Sequence, residues 1–251
     1  MTDFNKWQIV GLSWLAIAVV TFLCLIFLKI VVPFGRHTRT DWGPMVNNTL
    51  GWIIMEAPSP IMLWGSFALF WTPETPKIAF LPMALWSLHY INRTFIYPFR
   101  LKNKKKKMPV LIMGSAIFFN IVNGGLNGLF LAKGWFVQAE YLMIIGCIVF
   151  FTGMYINVKS DNMLISLRKP GETGYKLPSG FLFDKVASPN LFGEIIEWMG
   201  FFILAPSIAS LSFWIWTMAN LIPRSRDHYN WSIQNFENYP KERKVLIPEI
   251  W

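Results

Sequence analysis

The run 7–32, WQIVGLSWLAIAVVTFLCLIFLKIVV, decides the fold class of this chain. Lys29 is its one charged residue, and Gln8 is the other break near its start. About 20 apolar residues in a helix cross the hydrocarbon of a bilayer, which is roughly 30 Å thick. The run is too long for a signal-peptide core and lacks a convincing cleavage site. We therefore predict a retained first transmembrane helix.

Further apolar runs of spanning length occur along the rest of the chain. They lie at 50–71, 78–97, 109–133, 139–158 and 191–222. The chain is 54% apolar and 15% charged, with a mean hydropathy of +0.40, whereas soluble domains carry about 25% charged residues. These features predict an all-α integral membrane protein.

The basic loops predict the orientation. Six Lys or Arg residues fall within 100–107, and cytoplasmic loops are rich in such residues. Counting spans from this loop places the N-terminus outside and the loop 159–189 inside. The basic tail after 222 also belongs inside, so the run 191–222 must cross twice and reverse near Pro206. We expect a single domain over 1–251 with seven transmembrane helices, an outer N-terminus and a cytoplasmic C-terminus; six spans is the alternative.

The formal net charge of +9 fits this topology and an affinity for anionic lipid head groups better than it fits nucleic acid. Cys24 and Cys147 lie inside apolar runs, and the three histidines are dispersed. This pattern predicts neither a disulfide framework nor a metal site. Glycine-rich G-x-G-x-x-G and P-loop motifs are absent from the sequence.

Two groups of polar residues interrupt the N-terminal spans. Glu56 lies inside the second span, where an ionisable side chain is costly and indicates function; the alternative is a hydrogen bond that stabilises a kink beside Pro58. Helical spacing places Tyr90, Arg93 and Tyr97 on one stripe at the cytoplasmic end of the third span. An interfacial aromatic and arginine anchor would explain that stripe equally simply.

Two more groups follow in the C-terminal half. Asn157, Asp161 and Arg168 combine amide, carboxylate and guanidinium groups that suit a nucleotide, although a solvated helix is an alternative. The segment 188–198 then enters an apolar run with Asn190, Glu194 and Glu197 on one helical face, beside Trp198. Two carboxylates at such a place are hard to explain by packing alone.

These groups carry a resemblance to the steroid 5α-reductase family, membrane enzymes that reduce a conjugated enone with NADPH. The resemblance covers most of the chain. Its segments are 34–38, the flanks of Glu56, 89–97, 153–171, 175–198 and 236–248. It implies a bundle of seven helices whose N-terminal half holds the substrate and whose C-terminal half binds NADPH from the cytosolic side.

The resemblance also assigns residues. Glu56 and Tyr90 match the pair that holds the substrate ketone, and Trp52 and Trp198 would line the substrate slot. Lys106 and Lys176 stand where relatives use arginines, and Ser232 stands where some relatives place a tyrosine on the cofactor. The implied cofactor contacts are Tyr97, Asn103, Lys106, Asn157, Asp161, Arg168, Tyr175, Lys176, Asn190, Glu194, Arg224 and His228.

Two other functions are compatible with parts of the pattern. A membrane methyltransferase of the isoprenylcysteine carboxyl type would use S-adenosylmethionine, but methyl transfer does not need the pair Glu56 and Tyr90. A lipid-binding scaffold would tolerate apolar residues at Glu56, Asp161 and Glu194. For the reductase we expect a monomer in the bacterial inner membrane or the endoplasmic reticulum, acting on a steroid or another lipophilic enone.

Overall fold

The computed structural model of the protein describes residues 2–251. Its long elements are helices, and two short strands pair antiparallel. The helices are α1 (Asp3–Phe27), α2 (Asn48–Glu56), α3 (Pro58–Phe70), α4 (Phe80–Ile91), α5 (Tyr97–Arg100), α6 (Val110–Ala132), α7 (Glu140–Ser166), α8 (Pro189–Leu204) and α9 (Ile208–Asn235). The strands are β1 (Met45–Asn47) and β2 (Lys107–Pro109).

Within the described residues 2–251, four helical stretches are long and apolar enough to cross a membrane. They are Asp3–Phe27, Asn48–Phe70, Val110–Ala132 and Glu140–Ser166. The first of these helices begins before the run 7–32, at Asp3. It also ends before the run does, because the backbone turns at Lys29, which has a positive φ of 50°. The all-α prediction for the fold class is thus confirmed in its coarse form, a helical protein with several candidate spans.

The predicted break near Pro206 is present between α8 and α9. The Ser207 side-chain oxygen caps α9 by accepting a hydrogen bond from the Ser210 backbone N–H, and the Ser210 side-chain oxygen accepts one from the Ser207 backbone N–H. The end of α9 differs from the prediction, because the helix continues to Asn235 instead of ending with the apolar run at 222. Arg226 explains part of this continuation, since its guanidinium donates to the carbonyls of Leu25 and Ile26 at the end of α1.

Helices α7 and α8 pack backbone to backbone along a line of glycines. A Cβ atom at Gly153 would collide with the backbone of Glu197, and one at Gly193 would lie 2.5 Å from the Asn157 nitrogen. Small residues allow this close approach inside a membrane, where packing rather than the hydrophobic effect holds helices together. The contact fixes the register of α7 against α8, and therefore the positions of the polar residues at their ends.

We expect Gly153→Ala to destabilise the protein by about 1–3 kcal/mol, the usual cost of overpacking a core. The new methyl group would have to separate two backbones. Gly114→Ala in α6 is the matched control, because a Cβ there meets nothing within 4 Å. Thermal unfolding in detergent should show a lower midpoint for Gly153→Ala and an unchanged or higher one for Gly114→Ala. Equal midpoints for the two variants would contradict the close α7–α8 contact.

The strand pair ties together two loops on the side of the bundle where α5 ends. Val46 pairs with Met108, so the segment before α2 lies against the segment before α6. A π-helical turn, Asn92–Ile96, separates α4 from α5 and shifts the helical phase between Tyr90 and Tyr97. The basic loop 100–107, the start of α2, the end of α7, the start of α8 and the C-terminal part of α9 all border one cleft.

Candidate functional site

An open cleft lies among these helix ends and loops. Ten of the twelve residues that the resemblance assigns to the cofactor line it, and so does Trp52. Those ten are Tyr97, Asn103, Lys106, Asp161, Arg168, Tyr175, Lys176, Asn190, Arg224 and His228. Residues from four separate regions of the sequence thus converge on one cavity.

The other two, Asn157 and Glu194, lie directly behind the cleft wall. The Asn157 amide donates to the Asn190 carbonyl at 3.0 Å and to a Glu194 carboxylate oxygen at 3.4 Å. Asn157 is buried, and the close packing of α7 on α8 holds it there. These two residues therefore support the wall on which Asn190 stands.

Asp161 connects the cleft to Arg93, in the π-helical turn between α4 and α5. One of its carboxylate oxygens accepts from the Asn190 amide at 3.0 Å, and the other lies 3.4 Å from an Arg93 nitrogen. The Arg93 guanidinium also lies over the rings of Trp52, at 4.5 Å, and Tyr97, at 5.0 Å. Because both charges of the pair are largely buried, each depends on the other for compensation.

Tyr175 is surrounded by cations. The guanidinium of Arg168 lies 4.4 Å from the centre of its ring and that of Arg36 lies 5.4 Å away, while Lys106 donates to its hydroxyl at 3.2 Å. Arg36 also donates to Ser232 at 3.1 Å. Ser232, at the position where the resemblance implies a tyrosine in some relatives, thus accepts a hydrogen bond from a basic side chain of the cleft.

The positive groups of this region crowd one another. Burial, with the neighbouring cations Arg168 and Arg224, lowers the pKa of Arg36 to about 10. Burial and the charges of Arg36 and Arg224 lower the pKa of His37 to about 4. His37 stacks on His228 with ring centres 5.8 Å apart. A cluster that resists further positive charge is suited to an anionic ligand.

Glu56 and Tyr90 lie on α2 and α4, and a third side chain joins them. The Tyr90 hydroxyl donates to the Asn120 side-chain oxygen at 3.2 Å. The Asn120 amide donates to the Met55 carbonyl at 2.6 Å and lies 3.5 Å from a Glu56 carboxylate oxygen. Within residues 2–251, the Tyr90 hydroxyl makes no direct hydrogen bond to Glu56. The expected pair is therefore a group of three.

Trp52 and Trp198, both predicted to line the substrate slot, differ in position. Trp52 lies on the cleft wall. Trp198 is only 2% exposed and packs among aromatic residues that include Trp86 and Phe213. Its ring centre is 6.0 Å from that of Tyr90. Trp198 thus supports Tyr90 from the core, and its direct contact with a substrate stays a prediction.

A second buried acid, Glu197, lies near Tyr90 and is linked to it through His89. A Glu197 carboxylate oxygen is hydrogen-bonded to the Nδ1 atom of His89 at 2.8 Å, and both side chains are almost completely buried. The His89 ring also meets the rings of Tyr90 and Trp198 edge to face. This pair accounts for the Glu197 carboxylate that packing alone could not explain, and it joins α4 to α8.

Arg36, Arg93 and Asn120 contact the assigned residues, although they were not among them. Arg36 and Arg93 fall within stretches that the sequence already singled out, so their charge was a usable signal. Asn120 was not singled out at all. It is one of three asparagines at helical spacing in α6, with Asn123 and Asn127, and amides inside a spanning run are a weaker signal than a charge.

Comparison with known proteins identifies the family of the chain. The family model described as 3-oxo-5-alpha-steroid 4-dehydrogenase matches residues 106–251. The chain is 38% identical to the steroid 5-alpha-reductase DET2 of Gossypium hirsutum, over 94% of this chain and 93% of the relative. It is 36% identical to the 3-oxo-5-alpha-steroid 4-dehydrogenase 1 of Homo sapiens, over 87% and 86% respectively.

A second plant relative, DET2 of Solanum lycopersicum, is 35% identical over 100% of this chain and 99% of its own length. The similarity therefore covers the N-terminal half with Glu56 and Tyr90 as well as the half that the family model matches. The methyltransferase alternative gains no support from these comparisons. The chain belongs to the 3-oxo-5-alpha-steroid 4-dehydrogenase family, the steroid 5α-reductases, a family of oxidoreductase enzymes.

Proposed function

We propose that the protein reduces the Δ4 double bond of a 3-oxo-Δ4 steroid, or of a similar enone lipid, with NADPH. One observation carries the proposal. The polar cleft and the group Glu56–Asn120–Tyr90 are about one helical turn apart, because Trp52 on the cleft wall precedes Glu56 by four residues on α2. Arg93, which lies over the Trp52 ring, follows Tyr90 by three residues in the π-helical turn after α4. A dinucleotide in the cleft would therefore reach a ketone held by the acid and the phenol.

The chain's own residues would act on the ketone oxygen. The Tyr90 hydroxyl would donate to that oxygen and draw negative charge onto it, which makes the β-carbon electrophilic. Glu56 would orient Tyr90 or, when protonated, donate as well. When bound, NADPH supplies the hydride that adds to the β-carbon. A proton taken up at the α-carbon then completes the reduction.

The residues of the cleft fit a phosphorylated dinucleotide. Lys106, Arg168 and Lys176 offer charge for phosphate groups, and Asn190 and Asp161 offer hydrogen bonds for a ribose or an amide. Within residues 2–251, the buried Nε–H of Arg224, a residue of the cleft, has no hydrogen-bond partner in the protein. Buried donors without partners are rare, and an anionic ligand would satisfy this one.

The proposal includes the membrane topology. Seven crossings, with the N-terminus outside and the C-terminus in the cytoplasm, would use α1, α2 with α3, α4 with α5, α6, α7, α8 and α9. This topology places the basic cleft at the cytoplasmic face, where NADPH is available. We propose one domain over 1–251, monomeric and surrounded by lipid, in the bacterial inner membrane or the endoplasmic reticulum.

The direct test uses purified protein in detergent or nanodiscs, NADPH and a panel of enones that includes 3-oxo-Δ4 steroids. We expect a product two mass units heavier than the substrate, with a 5α ring junction for steroids. S-adenosylmethionine should not bind. Methylated product, or no oxidation of NADPH with any enone, would overturn the proposal.

Replacing Arg168 by alanine should weaken NADPH binding about 10–150-fold. The substitution removes a guanidinium that lines the cleft and stacks on Tyr175, and a charge-assisted contact of this kind contributes about 1.5–3 kcal/mol. Titration of the protein with NADPH, followed by the fluorescence of the nicotinamide, measures the change. The loss should be smaller at high salt, because screening weakens the phosphate contact.

Lys169→Ala is the matched control for Arg168→Ala. It removes a neighbouring positive charge that is exposed and does not line the cleft. We expect its NADPH affinity to stay within twofold of wild type, about 0.4 kcal/mol. Equal effects of the two substitutions would mean that Arg168 acts only through the overall positive potential.

A further inference from the structure

The three buried asparagines of α6 have different surroundings. Asn123 accepts from the Trp14 indole at 3.1 Å, and Asn127 donates to backbone carbonyls of Asn123 and Ala209. These contacts join helices. Asn120 instead bonds to the side chains of the acid and the phenol on two other helices. Its environment indicates a role in the reaction rather than in packing alone.

The Met55 carbonyl fixes which way the Asn120 amide faces. A carbonyl oxygen can only accept a hydrogen bond, so the Asn120 amide nitrogen, and not its oxygen, must face the Met55 carbonyl oxygen. The two atoms are 2.6 Å apart. The same nitrogen then faces Glu56, and the side-chain oxygen faces the Tyr90 hydroxyl. The orientation of this amide is thus set by the backbone of α2, next to the catalytic acid itself.

The position of Asn120 is fixed equally well. One turn further along α6, a Cβ atom at Gly124 would collide with the Ser59 carbonyl of α3, so the two backbones are in contact. Ser59 also accepts from the Trp86 indole at 3.1 Å, and Trp86 stacks on the Tyr90 ring. The ring of Tyr90 is therefore held by Trp86 and its hydroxyl by Asn120.

We propose that Asn120 is a positioning residue for the reduction, holding the Tyr90 hydroxyl and the Glu56 carboxyl in one oriented chain of hydrogen bonds. The inference rests on the proposed enone reduction. Without substrate, the Tyr90 hydroxyl donates a hydrogen bond to the Asn120 side-chain oxygen; when a ketone oxygen arrives, the hydroxyl turns to it by rotation about its C–O bond. Supporting groups of this kind keep catalytic groups within the narrow range of productive geometries.

A double-mutant cycle between Asn120 and Tyr90 tests this role. Asn120→Leu should lower the single-turnover rate of enone reduction about 10–30-fold, since misplacement of a catalytic group by an ångström is costly. In a Tyr90→Phe background the same change should cost less than about twofold, because residues acting through one another are not additive. NADPH affinity should not change in either variant.

Asn127→Leu is the matched control, a buried asparagine of the same helix with only backbone partners. It should leave the rate of reduction within about twofold of wild type. The size of this effect should be the same with tyrosine or phenylalanine at position 90. If Asn120→Leu does not fold, Asn120→Ala serves in the same cycle.

A second readout does not need turnover. The carbonyl stretch of an isotope-labelled ketone, bound together with NADP⁺, should move toward its unpolarised frequency in Asn120→Leu.

The outcomes separate this inference from the function on which it rests. One outcome would overturn the positioning role and leave the function intact. In that outcome the wild-type protein reduces the enone, the losses for Asn120→Leu and Tyr90→Phe are additive, and the carbonyl stretch does not move. No reduction of any enone by the wild-type protein would overturn both. Non-additive losses with a shifted carbonyl stretch would support the role of Asn120.

Discussion

Replacing Tyr90 by phenylalanine should lower turnover of a 3-oxo-Δ4 steroid at least about 100-fold, the usual cost of removing a donor that stabilises developing negative charge. The ring would keep its stack on Trp86, so the fold should survive. NADPH affinity should change less than about twofold, because Tyr90 is not part of the cleft wall. Steady-state kinetics and cofactor titration give both quantities.

Glu56→Gln tests the other end of the same chain of groups. Glutamine keeps the size of the side chain but removes the charge and the acidic proton, so we expect a loss of the same order with NADPH affinity retained. Tyr155→Phe is the matched control, since it removes a phenol from the exposed side of α7. A rate near wild type for Tyr90→Phe or Glu56→Gln would remove that residue from the mechanism.

The second large effect should come from His89→Leu, which we expect to destabilise the protein by about 3–5 kcal/mol. That is the usual cost of breaking a buried pair and leaving one ionisable partner without compensation. Glu197 is completely buried, and its other carboxylate oxygen already lacks a hydrogen-bond partner among residues 2–251. Thermal or denaturant unfolding in detergent measures the loss.

A compensating variant makes this prediction specific. Adding Glu197→Met to His89→Leu replaces the whole pair by apolar groups, which is often neutral or stabilising. The double variant should therefore unfold near the wild-type midpoint, although its rate of reduction should fall because Tyr90 and Trp198 pack on the pair. A double variant as unstable as His89→Leu alone would show that volume, rather than an uncompensated charge, dominates at this site.

The sequence predicted the helical runs because apolar composition over a spanning length is a local property. It also predicted the break near Pro206. It did not predict how far α9 continues, since the residues after 222 are polar and their helix is held by the contact of Arg226 with the end of α1. A helix stabilised by a partner distant in sequence leaves no periodic apolar signal of its own.

For the candidate site, the charged and aromatic residues were identifiable because ionisable groups are rare in membrane segments. Their convergence was inferred from resemblance, and the cleft brings ten of the twelve assigned cofactor residues together. The links between them were not identifiable. Arg93 with Asp161, His89 with Glu197, and Asn120 between Glu56 and Tyr90 each join residues more than 25 positions apart.

The sequence by itself thus determined that this is a helical protein with several stretches able to span a membrane, where those apolar stretches lie, and which side chains are too polar for their surroundings. Only the tertiary structure decided which of those side chains meet. Hydropathy depends on one residue and its neighbours, whereas a hydrogen bond between helices depends on their register. Here that register is set by glycine contacts between α7 and α8 and between α3 and α6.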